Sequence, residues 1–118
     1  LFETLIGVAI FVLFCVLAWA AKASAEALLV GGLGLAALGF AYGIPTALVY
    51  HWLLHRALSR DGRLPQRWWI SPTAHHHLLE PNERPRVLVW AAIGGSGFIV
   101  IVLGIVLTSL GLWRARAA

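Results

Sequence analysis

All five histidines of this chain fall between His51 and His77. His51 and His55 stand four residues apart at the end of an apolar segment, and His75, His76 and His77 follow an Arg-rich stretch. Imidazole is an ordinary ligand for metals and cofactors and an unusual group inside lipid. The i, i+4 spacing puts His51 and His55 on one helix face, where both can chelate the same ion. Three consecutive histidines on a helix point about 100° apart, so at most two of them serve one centre. Folding the connection back would bring the two groups together, and four imidazoles at one point would bind iron, zinc or copper. A plainer reading stands beside it. His51 and His55 mark a helix leaving the bilayer, and the run of three is solvated.

A family resemblance attaches to these residues. Tyr42-Gly43, then Tyr50-His51-x3-His55-Arg56, then Ala74-His75-His76-His77 with Glu80 and Asn82 nearby resemble part of the membrane fatty acid hydroxylase superfamily, in its carotene hydroxylase branch. The resemblance implies a helical membrane protein with histidine boxes on the cytoplasmic side. It also implies a non-haem di-iron centre that activates oxygen for C–H hydroxylation of a lipid or carotenoid. By that resemblance His51 and His55 match an H-x3-H box, and His76 and His77 match the end of an H-x2-HH box. The metal set it implies is His51, His55, His76 and His77. The pattern departs from the family at Thr73, where the second box carries histidine, and no box lies before His51 or after His77.

Other chemistry is sparse. There is no Ser-His-Asp order, no Gly-rich phosphate loop and no CxxC. Glu80 and Glu83 are expected to solvate a Pro-rich turn, and Arg84 and Arg86 to hold a helix end at the lipid headgroups. Cys15 cannot form an internal disulfide and is expected to be a small buried hydrophobe.

The elements that must position the histidines are apolar. The chain has 118 residues, 60% hydrophobic and 12% charged, with mean hydropathy +0.84. That excludes an ordinary soluble domain and a disordered tail. A single membrane domain over 1–118 is expected. Three apolar segments, at about 4–21, 27–54 and 87–113, are each long enough to cross ~30 Å of hydrocarbon. Backbone groups in lipid must pair internally, so all three are helices. The expected fold is all-α integral membrane, with three transmembrane helices and a short interfacial helix in the second connection. The first segment lacks a basic region before it and reads as a retained helix rather than a signal peptide. The sequence holds no methionine, which suggests a processed chain or a piece of a longer one.

Local signals refine this outline. Ser24 is the expected N-cap of the second helix. Pro45 is expected to kink that helix and to free carbonyls beside the histidines. Ser71-Pro72 reads as a helix start, with about two turns from Thr73 to Leu79 ended by Pro81. The connection at 56–86 holds six arginines against Asp61, Glu80 and Glu83, while the other side has Lys22, Arg114 and Arg116. The positive-inside rule then puts the connection and the N-terminus in the cytoplasm and the C-terminus outside, in a bacterial-type inner membrane. Trp19 and Trp113 would lie at the outer interface, and Trp52, Trp68, Trp69 and Trp90 at the inner one. The net charge of +4 sits in juxtamembrane segments and points to lipid headgroups rather than nucleic acid.

Small residues are ordered along two helices. Gly97, Gly104 and Gly111 recur every seven residues, as do Gly32, Gly39 and Thr46, and Gly39 and Gly43 form a G-x-x-x-G. Such seams let helices approach closely, within the chain or against a partner. The favoured function is a small accessory subunit of a larger inner-membrane complex of photosynthetic or respiratory type, whose partners are other integral membrane subunits and lipids. The alternative is the iron-dependent hydroxylase, or a degenerate relative of one. A third reading makes His51 or His55 the axial ligand of a haem or bacteriochlorophyll.

Overall fold

The computed structural model describes residues 1–60, 62 and 64–117. Asp61 and Arg63, counted in the charge of the connection, and the side chain of Thr73 lie outside the described residues. The chain is all-α, with helices α1 (Phe2–Lys22), α2 (Ala25–Arg60) and α3 (Arg84–Ala117) and a short 3₁₀ segment, Pro72–Leu78, in the second connection. All three long helices have the length and apolar composition to cross a membrane, with mean hydropathy of 2.6, 1.9 and 2.3 in their most apolar stretches. Helices are the form in which such segments pair their own backbone groups in lipid. This is a multi-pass membrane protein.

The helices outrun the apolar segments that announce them. α2 continues to Arg60 rather than ending near 54, and α3 begins at Arg84 rather than 87 and runs to Ala117. Hydropathy marks where lipid ends, whereas helical hydrogen bonding persists while one face still finds something to pack on. Ala57 and Leu58, one turn beyond Leu53 and Leu54, are buried with them and carry the apolar stripe past the boundary. Pro85, in the first turn of α3, removes an N–H that has no intrahelical partner there.

Caps and breaks follow sequence rules in part. Only Ala23 and Ser24 separate α1 from α2, and the Ala27 amide donates to Ser24 Oγ at 3.1 Å, as an N-cap should. Ser71 caps nothing with its side chain. The segment it precedes is a 3₁₀ turn rather than the expected α-helical one. Pro45 lies inside α2 without interrupting it. The neighbouring Thr46 hydroxyl faces two carbonyls, those of Tyr42 at 2.7 Å and Gly43 at 3.0 Å. Helix α2 thus runs on through Pro45 to the histidines.

The chain divides into two compact units, Leu1–Gly34 with Leu103–Ala118, and Leu35–Val102. In the first, glycines let α2 and α3 touch backbone to backbone. A Cβ on Gly32 would stand 2.6 Å from the Thr108 nitrogen and 2.7 Å from the Gly104 carbonyl oxygen. One on Gly111 would stand 3.0 Å from the Ala25 oxygen. The Arg114 guanidinium closes the open end of α1. Its Nη1 donates to the Ala20 and Ala23 oxygens, both at 2.6 Å, and its Nη2 to Ala21 O at 3.2 Å. A cation on terminal carbonyls meets the negative end of the helix dipole. By contrast, every residue from Leu1 to Cys15 is exposed. Cys15 is thus not the buried hydrophobe expected from its apolar neighbours, because burial depends on which face finds a neighbour and not on hydropathy.

The second unit contains the main core. Tyr50, Leu53, Leu54, Ala57 and Leu58 of α2 meet Leu79 and Val87, with Trp68 and Trp90 packed against them. Higher along the same helices, a Cβ on Gly39 would lie 2.9 Å from the Gly97 oxygen, and one on Gly94 3.4 Å from Ala47. No charged or polar side chain is buried among the described residues.

Candidate functional site

The histidines meet at the core of the second unit, where α2 provides one wall and the connection folds over it. Tyr50, His51 and His55 leave α2 within two turns, and Tyr50 is 6% exposed on the same face as Leu54 and Ala57. The connection supplies Trp68 and His76. Tyr50 lies edge-on to both imidazoles, with ring centroids 5.2 Å from His51 and 5.7 Å from His76. Trp68 approaches the other side, 6.0 Å from His51 and 5.3 Å from His55. These are ordinary separations for aromatic pairs. The chain has built an aromatic cluster that uses imidazoles as rings.

Two hydrogen bonds fix the cluster. His51 Nδ1 lies 2.8 Å from the Ala47 carbonyl oxygen one turn back. A carbonyl only accepts, so the proton is on Nδ1, and in the neutral ring Nε2 keeps its lone pair. The Tyr50 hydroxyl bonds His76 Nε2 across 26 positions of sequence. Burial, and secondarily the charge of His75, hold the His76 pKa below the usual histidine value. A neutral His76 accepts the hydrogen bond donated by the Tyr50 hydroxyl through Nε2 and carries its own proton on Nδ1.

The 3₁₀ geometry decides which of the three consecutive histidines takes part. With three residues per turn, successive side chains diverge by about 120°, more than on an α-helix. His76 is the one turned to Tyr50, and His77 is exposed. The structure thus brings His51, His55 and His76 around Tyr50 and Trp68 and leaves His77 outside. Among the described residues no three His, Cys, Asp or Glu side chains come together as a group that could hold a metal ion. Glu83, expected to solvate a Pro-rich turn, is paired with Arg60 at 2.7 Å.

The tryptophans divide by role. Trp19, Trp52, Trp69 and Trp113 are exposed. Trp68 and Trp90 are partly buried against the core cluster, so they are packing residues first. Trp19 also covers Gly31, where a Cβ would stand 3.2 Å from its ring.

Sequence reasoning passed over two residues that matter here. Tyr50 is the hub, and its signal was available, since it sits three, four and seven residues before the buried Leu53, Leu54 and Ala57. Arg114 reads as one of several terminal arginines. Nothing in its spacing announces that it reaches back to the carbonyls of α1. No family model, no curated protein and no solved structure matches this chain.

Proposed function

We propose that this protein is a small accessory subunit of a larger membrane complex, and that α1 is the helix it offers to its partner. One observation carries the reading. Leu1 through Cys15 are all exposed, with Phe11 at 69% and Phe14 at 66%, while the glycine faces of α2 and α3 are occupied within the chain. The contact with a partner therefore belongs to α1 rather than to Gly32, Gly39, Gly43, Gly97, Gly104 and Gly111. Helix association in lipid rests on packing, and α1 presents long side chains on every side for a partner to enclose. The arginines of the connection favour a cytoplasmic loop in a bacterial-type inner membrane, which puts the partner among its integral subunits.

The test is gentle extraction of the full chain from its native membrane, followed by native mass spectrometry. A partner at fixed stoichiometry supports the reading, and a chain that emerges alone in every mild detergent overturns it.

A second reading has one observation behind it. His51 and His55, at H-x3-H spacing and both beside Trp68, are what a degenerate relative of an iron hydroxylase would retain. Iron that co-purifies at fixed stoichiometry, and is lost in His51→Ala, would move the assignment there.

A further inference from the structure

A pocket of about 220 Å³ opens in the second unit between the last turns of α2 and the start of α3. Arg56 and Arg60 enter it from α2 and Arg86 from α3, with Asn82 beside them. Its wall is apolar, formed by Leu53, Ala57 and Val87, all three buried. Leu53, Arg56, Ala57 and Arg60 follow i, i+3, i+4, i+7 spacing, so one helix face changes from apolar to cationic along its length. Among the described residues that line the pocket, Glu83 is the single carboxylate beside the three guanidiniums, and it is paired with Arg60.

Two features suit this pocket to an anion. Arg56 stacks on the Trp52 ring, its guanidinium carbon 5.3 Å from the ring centre, a cation–π arrangement that limits the freedom of the side chain. The forked donors of arginine match the oxygens of a phosphate.

The place of the pocket on the helices decides which kind of phosphate it meets. The helices bearing the pocket are the ones that cross the membrane, and their apolar residues give way to charge at this level. We propose that this pocket binds the phosphate headgroup of an anionic phospholipid, through Arg56, Arg60 and Arg86. The proposal does not rest on the subunit reading.

The experiment uses the full chain in a neutral detergent and counts bound lipid by native mass spectrometry, with dioleoyl phosphatidylglycerol against dioleoyl phosphatidylcholine. The native chain should hold the anionic lipid at least about tenfold tighter. Each arginine is worth about fivefold, so Arg56→Gln with Arg86→Gln should bring the preference to near unity. Arg60→Gln, at a largely exposed guanidinium, is measured alone so that a misfolded double variant does not decide the matter, and it should lower the preference severalfold. Lys22→Gln with Arg116→Gln removes the same charge elsewhere and should keep the preference. A preference retained by the pocket variants overturns the site. So does an equal loss in the Lys22/Arg116 variant, which would mean bulk charge. Displacement of the lipid by millimolar inorganic phosphate would overturn the lipid assignment in favour of a soluble phosphate.

Discussion

Gly97 rests against Gly43 so closely that a methyl group on Gly97 would stand 2.6 Å from the Gly43 Cα. Nothing but hydrogen fits between the two backbones. The helices therefore meet through main chain, the kind of contact that dispersion and close packing reward in lipid.

Gly97→Ala should accordingly lower stability in detergent by about 1–3 kcal/mol, the usual cost of overpacking. Gly95, two residues earlier with nothing within 4 Å of its Cβ site, is the control. Gly95→Ala should be neutral or stabilising by up to about 1 kcal/mol through helix propensity. Thermal unfolding of both variants checks the contrast. Equal effects would mean that the seam is not where the helices pack.

Arg114 ties α3 to the last carbonyls of α1. Removing it leaves those carbonyls without their cationic donor, so Arg114→Ala should cost about 1.5–3 kcal/mol, the range for hydrogen bonds to a charged group. Arg116 is exposed, and Arg116→Ala should change little. Hydrogen exchange at the C-terminal turn of α1 reports the difference, with faster exchange expected only in the Arg114 variant.

His76 gives the protein a pH dependence whose sign is fixed. Its pKa is lowered in the folded chain, so the unfolded chain binds its proton more readily. Stability from this group is full above the ordinary histidine range and falls as pH drops through it towards the lowered value. The melting temperature should decline on acidification from neutral pH, and less so in His76→Gln, which keeps a polar partner for Tyr50. A decline of the same size in that variant would assign the effect to other groups.

His51 and His55 serve as packing partners of Trp68. The double variant His51→Ala with His55→Ala should reduce the melting temperature and leave the metal content per chain unchanged, measured by elemental analysis on protein from the native membrane. A loss of one or more metal equivalents would show that the imidazoles do chemistry.

Hydropathy made the three helices legible, because a segment that long and apolar has only one way to pair its backbone in lipid. Ser24 was legible as a cap, since one side chain and one local amide settle it. The glycine periodicity of α2 and α3 announced a seam, but the same pattern serves an internal contact and a partner equally well. Spacing alone does not say that Gly97 meets Gly43. The histidine cluster was half legible. His51 and His55 share a face by arithmetic, whereas His76 depends on whether Pro72–Leu78 coils as an α-helix or a 3₁₀ turn. That choice turns each side chain by a further ~20° per residue. The burial of Tyr50 was legible from its helical spacing, but its bond to His76 and the reach of Arg114 were hidden, because those partners lie 26 and more than 90 positions away.

The proposed partner face of this protein is α1. A photo-crosslinking amino acid placed at Phe11 or Phe14, and at the buried Leu28 as the control, tests it in native membranes. A discrete protein adduct from Phe11 and Phe14, absent from Leu28, is the predicted result. Adducts to lipid alone at both α1 positions would contradict the claim.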